Sequence, residues 1–235
     1  MRVCGVICEY NPFHRGHQRQ LDLIRAQEGP DCAIVCLMSG NFVQRGHPAL
    51  IDKSLRAQAA VECGADLVLE LPVTACLCSA EGFAAGGVGI LGDFCHKLCF
   101  GAENARGEIL MHTAWALLSP DFPFVLRTEL DKGLSFPVAR AKALEAMGVD
   151  SGILSTPNNI LAVEYCKAIL QQGKPMEPMP IFRGGSYHDE KADPENPSAT
   201  SLRTLMENGQ DWASYIPAEA RKSFENATAH ILAYG

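Results

Sequence analysis

The sequence predicts an α/β fold built on a doubly wound parallel sheet. Three observations carry that expectation. Short, nearly unbroken apolar runs alternate with helical patterns along the first hundred or so residues, which is the order of a βαβ chain. The runs lack polar alternation, as strands do when helices cover both faces. A length of 235 residues at 47% hydrophobic content is enough to fill one core of ordinary size.

The elements follow in order. Residues 3–8 (VCGVIC) read as a buried strand, and 17–27 as a helix with Leu21 and Ile24 on its inner face. Residues 32–38 (CAIVCLM) make a second strand, and 51–64 a helix that ends at Gly64. Residues 67–71 (LVLEL) make a third strand, stopped by Pro72. Residues 79–91 read as a helix carrying Gly82, Gly86, Gly87 and Gly89, and 97–100 as a short fourth strand. Residues 105–148 are mostly helical in pattern, around Trp115, Leu117, Leu144 and Met147. Another helix spans 159–171, and 179–182 form a further strand. Residues 184–197 are polar and hold two glycines and two prolines, the composition of a loop. Ser198 then opens a short helix and Pro217 a last one. The organisation expected is a Rossmann-like nucleotide-binding domain at 1–183 and a loop-and-helix C-terminal segment at 184–235.

Charged residues make up 20% of the chain and the formal net charge is −7. That argues against a broadly basic nucleic-acid-binding surface, so an RNA partner would have to meet a local basic patch. No run approaches the roughly 18–20 apolar residues of a membrane helix, and the apolar start is interrupted by Glu9, Asn11 and His14, unlike a secretory leader. A cytoplasmic protein without a membrane partner is the expectation. Ten cysteines include no C-x-x-C pair. Cys4/Cys8 and Cys32/Cys36 recur at i, i+4 within strands, roughly 13 Å apart, too far to share one zinc ion. Cys95, His96 and Cys99 are better spaced for a metal, but small buried hydrophobes in a reducing compartment explain the cysteines more simply, and no metal ligand is assigned.

The chemistry concentrates at residues 11–18 (NPFHRGHQ), where the first strand turns into the first helix. Ligands of open parallel sheets bind beyond the carboxyl ends of the strands. Asn11 and Pro12 turn the chain, Gly16 permits close backbone approach, and His17 falls at a helix start, where free N–H groups and the helix dipole favour an anion. His14 and His17 add donors aimed at phosphate oxygens, an arrangement suited to charge developing on a reacting α-phosphate. Ser198, Thr200, Ser201 and Arg203 offer a second helix start for the outer phosphates, although Ser198 also reads as a plain N-cap. Arg45 and Lys53 follow the second strand and could hold a carboxylate or phosphate. His188 and Asp189 are candidates for a general-base pair.

Residues 5–17 (GVICEYNPFHRGH) resemble the opening of the H-x-G-H nucleotidylyltransferase superfamily. More narrowly, the chain resembles the bacterial tRNA(Met) cytidine acetate ligases, through 38–46 (MSGNFVQRG), 66–72 (DLVLELP), 100–103 (FGAE), 156–165 (TPNNILAVEY), 187–189 (YHD) and 198–203 (SATSLR). The resemblance implies a nucleotidylyltransferase-type sheet and a ligase that makes acetyl-adenylate from acetate and ATP, with Mg2+ accompanying the nucleotide. The acetyl group then passes to N4 of the wobble cytidine of elongator tRNA(Met). It implies ATP contacts along Ile7, Cys8, Glu9, Tyr10, Asn11, Pro12, Phe13, His14, Arg15, Gly16, His17, Gln18, Arg19 and Gln20, with His14 and His17 catalytic, and further ATP contacts at Gly101, Asn158 and Arg183. From the residues alone, Gly101 ends a strand where a side chain would crowd a nucleotide, Asn158 equally well caps a helix, and Arg183 precedes a glycine pair.

Two departures stand out. His47 follows Gln44-Arg45-Gly46 where the resemblance leads one to expect an acidic residue. The family's members also run further at the C-terminus, where a helical region is expected to help hold tRNA, so the chain reads as truncated relative to them. Competing readings are an adenylyltransferase or acetate ligase acting on a small molecule, similar to citrate lyase ligase, and a nucleotide-binding module without turnover.

Overall fold

The structure is a computed structural model that describes residues 1–183, 197–221 and 223–224. Five strands, β1 (Val3–Cys8), β2 (Ala33–Ser39), β3 (Leu67–Leu71), β4 (Lys97–Ala102) and β5 (Glu177–Phe182), form one parallel sheet in the order β3-β2-β1-β4-β5. The chain therefore winds outward in two directions from β1, and the switch point lies between β1 and β4, where a ligand crevice belongs. Pairing of β1 with β2 runs from Val3 opposite Ala33 to Cys8 opposite Met38.

Among the described residues nine α-helices have defined bounds, α1 (Arg15–Glu28), α2 (Lys53–Glu62), α3 (Val73–Cys76), α4 (Ala80–Leu91), α5 (Gly107–Leu118), α6 (Phe122–Leu130), α7 (Phe136–Ala146), α8 (Pro157–Gln172) and α9 (Ala199–Glu207), and residues 218–221 and 223–224 are helical as well. They cover both faces of the sheet. Leu21 and Ile24 of α1 and Ala59 and Ala60 of α2 close one face over Cys4, Val6, Ile34 and Cys36. Phe83 and Val88 of α4, Leu110 of α5 and Val163 of α8 close the other over Val35, Leu37, Leu98 and Phe100. Gly87 lets α4 lie against β1, because a Cβ there would come within 2.3 Å of Ile7 Cδ1. Helices α6 and α7 form a satellite around Phe122, Ala143 and Leu144. Leu202, Ile216, Ala220 and Phe224 join the core beneath α1, so the described C-terminal residues share the core of the sheet.

Several expectations are corrected. Helix α2 begins two residues later than the pattern implies, because Asp52 caps it by accepting from Ser54 N at 2.8 Å, and it stops at Glu62, short of Gly64. Strand β4 runs on to Ala102, so Gly101 lies inside it, held by the pairing of Gly101 with Ile181. Trp115 does not organise a core: it is 64% exposed on the outer side of α5. Cys95 and Cys99 fall on opposite faces of the sheet, and His96 Nδ1 accepts from Val3 N at 3.2 Å, so those three do not converge on a metal. All ten cysteines are free thiols. Among the described residues no single helix is long and apolar enough to cross a membrane.

Candidate functional site

A cavity of about 1120 Å³ opens at the carboxyl ends of β1, β4 and β5, larger than the roughly 300–1,000 Å³ typical of a single small-ligand site. Its wall carries His14, His17, Arg19, Arg45, His47, Arg183 and Arg203 against two carboxylates, Glu9 and Glu207. In a chain of net charge −7, four arginines and three histidines on one wall make this the end of the molecule best suited to an anion.

The β1–α1 turn is held from three sides. Arg56, fully buried, donates to Glu9 O at 2.6 Å, to Ser39 O at 3.1 Å and to Gly40 O, and its Nε reaches Ile51 O at 2.9 Å. Leu50 N donates to Asn11 Oδ1 at 2.7 Å, and Arg203 Nη1 donates to Asn11 O at 2.8 Å. Tyr10 sits at φ +48°, a region costly for a bulky residue. Its buried ring lies 4.8 Å from Phe13 and 4.9 Å from His17, and its hydroxyl is 3.3 Å from Cys36 Sγ. Backbone strain at the end of β1 is thus maintained by packing and by an arginine that satisfies only carbonyls.

That turn delivers the two histidines. Their rings stack at 3.6 Å between centroids, and His14 N donates to His17 Nδ1 at 3.3 Å. Burial, with Arg183 nearby, lowers His14 to about 3. Burial also lowers His17 well below the usual imidazole value, with His14 and Arg183 adding to it. Both rings are therefore neutral at pH 7. His14 Nδ1 and Nε2 have no hydrogen-bond partner, a costly state for a buried ring. The first turn of α1 holds no acidic residue. A helix start without an acidic side chain, beside two unsatisfied imidazole nitrogens, is an arrangement suited to an anion.

The start of α8 is arranged differently. Glu103, just past β4, accepts from Thr156 Oγ1 at 2.8 Å, Asn158 Nδ2 at 2.7 Å and Asn159 N at 2.9 Å. In return, Asn104 N donates to Asn159 Oδ1 at 2.8 Å. Partial burial works to raise the Glu103 pKa, and these hydrogen bonds outweigh it, so the carboxyl stays below its usual range. The helix start is filled by the protein's own carboxylate.

Of the residues the sequence singles out, Ile7, Cys8, Glu9, Tyr10, Asn11, His14, Gly16, His17, Arg19, Gln20, Gly101, Asn158, Arg183, Ser198, Thr200, Ser201 and Arg203 all line this one cavity. Phe13 instead lies in the core beneath α1, and Pro12, Arg15 and Gln18 do not line the cavity. Asn158 is no helix cap, since α8 begins at Pro157 with Thr156 as its N-cap. Ser198 is the N-cap of α9: its Oγ accepts from Ser201 N at 3.0 Å, while Ser201 Oγ donates to Ser198 O at 2.9 Å. Those two groups largely satisfy each other, which leaves Thr200 and Arg203 as the outward-facing part of that helix start. Arg45 lines the cavity, whereas Lys53 lies outside its lining, paired with Glu70 at 2.7 Å. His188 and Asp189 lie outside the described residues. The sequence reading missed Arg56, which looks like a surface helix position, and the clasp made by Glu103, although residues 100–103 and 156–165 were both visible as blocks.

Comparison with known proteins agrees with this geometry. The profile of a family described as HIGH Nucleotidyl Transferase matches residues 1–233. A tRNA(Met) cytidine acetate ligase of Geobacillus sp. (strain WCH70) is 40% identical over 234 residues, covering 96% of this chain and 58% of that protein. Its counterpart in Clostridium novyi (strain NT) is 41% identical over 221 residues, covering 90% of this chain and 55% of that protein. Among solved structures, Thermotoga maritima TmcAL bound with alpha-thio ATP has a TM-score of 0.86 at 34% identity, covering 98% of this chain and 56% of that one. An apo form of the same protein reaches a TM-score of 0.89 at 34% identity, with 98% of this chain and 57% of that one covered. The chain thus spans a little over half the length of these relatives. With a parallel sheet wound outward from β1, an H-x-G-H turn at the start of α1 and a profile match along almost its whole length, the chain belongs to the HIGH nucleotidyl transferase family.

Proposed function

We propose that this chain binds ATP in the cavity at the strand ends and activates acetate there. An acetate oxygen attacks the α-phosphorus, the bond to the bridging oxygen of the β-phosphate breaks, and pyrophosphate leaves. The acetyl group of the resulting acetyl-adenylate then passes to N4 of the wobble cytidine of elongator tRNA(Met): the amine attacks the acyl carbon, AMP departs, and the amine loses a proton. The observation that carries the first half is the open start of α1, where buried His14 has both ring nitrogens unpartnered beside His17. Neutral imidazoles donate a single N–H each and add no fixed charge, so they stabilise charge as it builds on the α-phosphate oxygens more than they hold resting ATP. The relative crystallised with an ATP analogue supports the nucleotide, and the names of the curated relatives support acetate and tRNA.

In this reading His14 and His17 are the catalytic residues, the β1–α1 turn and Gly101, Asn158 and Arg183 hold the nucleotide, and Thr200 and Arg203 face the outer phosphates. Residues 1–183 supply most of the nucleotide contacts, and α9 adds Thr200 and Arg203 to the cavity wall. Mg2+ accompanies ATP. Among the described residues no group of three or more histidine, cysteine, aspartate or glutamate side chains could hold a metal ion, and Glu9 already accepts from Gln44 N at 3.0 Å. A magnesium ion arriving with the nucleotide would be held mainly by phosphate oxygens and water, where it would neutralise charge on the leaving pyrophosphate. The test is acetate-dependent pyrophosphate release from ATP, followed by analysis of added elongator tRNA(Met) for acetylated cytidine. Pyrophosphate release that needs acetate, without tRNA acetylation, would assign adenylation to this chain and the RNA step to a longer protein.

A further inference from the structure

The clasp at the start of α8 fixes more than the helix. A carboxylate accepts hydrogen bonds and donates none, so the Asn158 amide meets Glu103 Oε1 through Nδ2, at 2.7 Å. The two ends of that amide are therefore not interchangeable: Nδ2 faces Glu103 and keeps one further N–H, and the carbonyl oxygen is free to accept at the cavity that Asn158 lines. Thr156 and Asn159 hold the other carboxylate oxygen, Oε2, at 2.8 and 2.9 Å, which keeps Glu103 from rotating away.

An outward amide oxygen backed by a carboxylate repels phosphate and accepts from a neutral donor. Its neighbours on the cavity wall include Phe100, Ile160, Leu161 and Ile181, apolar surface suited to the flat face of a base. The groups that suit phosphate, the His17 imidazole and the Arg203 guanidinium among them, belong to the α1 and α9 starts. Gly101 contributes no side chain, and the Arg183 stem packs over it, with Cδ 3.5 Å from where a Cβ would stand.

We propose that Glu103 is a positioning residue that holds the Asn158 carbonyl oxygen as the acceptor for the 6-amino group of adenine, and that this pair sets the preference for adenine over 6-oxopurine nucleotides. The inference rests on the ATP reading of the cavity. A 6-oxopurine brings its O6 acceptor to the amide oxygen, and Asn158 cannot exchange its oxygen and NH2 ends without abandoning Glu103.

The experiment is calorimetric titration of the chain with ATP, inosine triphosphate and 2′-deoxy-ATP, for the wild type, Asn158→Ala and Glu103→Gln. The wild type is expected to favour ATP over inosine triphosphate by about 10- to 100-fold, the cost of an unpaired or opposed polar group. Asn158→Ala brings that ratio to within about threefold of unity and leaves the ratio of ATP to 2′-deoxy-ATP unchanged. Glu103→Gln lowers the ATP preference by an intermediate factor, because the introduced amide can accept from or donate to Asn158 and so permits either orientation. Asn158→Ala leaves Glu103 bonded to Thr156 and Asn159, so it keeps the test available should Glu103→Gln fail to fold. An unchanged ATP-to-inosine-triphosphate ratio in Asn158→Ala overturns the inference, as does a change confined to the 2′-deoxy ratio, which would place Asn158 on the ribose. A wild type that binds ATP and inosine triphosphate equally overturns the inference alone. A wild type that binds neither overturns the ATP reading with it.

Discussion

The starts of α1 and α8 face the same cavity and use the same physics in opposite ways. Each presents backbone N–H groups and the positive end of a helix dipole. At α8 the protein answers that potential itself: Glu103 takes a hydrogen bond from Asn159 N and two side-chain bonds beside it. At α1 the first turn has no acidic residue, and the adjacent His14 nitrogens are buried without partners. One helix start is closed by an internal anion and serves as scaffold. The other is left open, at a cost to stability, and is the proposed anion site. The lesson is that helix position alone does not mark a site; the unsatisfied polar groups around it do.

The contrast can be broken most severely at α1. His17→Ala is expected to lower acetate-dependent adenylation by at least about 100-fold while the far-ultraviolet circular dichroism spectrum stays that of the folded protein. Loss of the folded spectrum would instead make His17 a packing residue, held between Tyr10 and Phe13. At α8 the first effect should be on stability. Glu103→Ala leaves Thr156 Oγ1, Asn158 Nδ2 and Asn159 N without their acceptor, and should cost about 2 kcal/mol, or about 4–8 °C in thermal midpoint. A midpoint within a degree of wild type would mean that the clasp contributes little.

The open site should also leave a signature in the pH dependence of stability. Burial holds the folded-state pKa of His14 at about 3, and that of His17 likewise below its usual value. The unfolded chain therefore binds more protons at mildly acid pH, and stability conferred by the neutral rings is present above about pH 6.5 and lost as pH falls toward the folded-state values. The unfolding free energy from urea titration should fall between pH 7 and 5, by up to about 1.4 kcal/mol per pH unit for each ring, and less steeply in His14→Ala. An equal slope in that variant would assign the loss to other groups. The smallest effect expected is at α9, where Ser201 Oγ is already engaged with Ser198 O: Ser201→Ala should weaken ATP binding about two- to fivefold. Unchanged affinity would remove Ser201 from the phosphate contacts.

The sheet was legible because strands covered on both faces leave unbroken apolar runs, as at 3–8 and 67–71. It was less legible where that rule lapses: β4 ends in Gly101 and Ala102, which extend the strand without looking apolar. Trp115 misled because hydrophobicity favours burial without enforcing it, and α5 turns that residue outward. The α1 start could be read because its residues are contiguous and the resemblance reinforced them. Arg56 and Glu103 could not, for a shared reason. Each works through partners distant in sequence, Glu9 and Ser39 for one and Thr156 to Asn159 for the other, and no local pattern announces that an arginine will be buried among carbonyls. Lys53 failed for the converse reason: a cation near a strand end found Glu70 first.

The most direct test of the account is the release of pyrophosphate from ATP by this chain, measured with and without acetate. The account predicts release that depends on acetate and disappears in His17→Ala. No release, or release indifferent to acetate, would contradict the assignment of the open α1 start as an acetate-activating adenylation site.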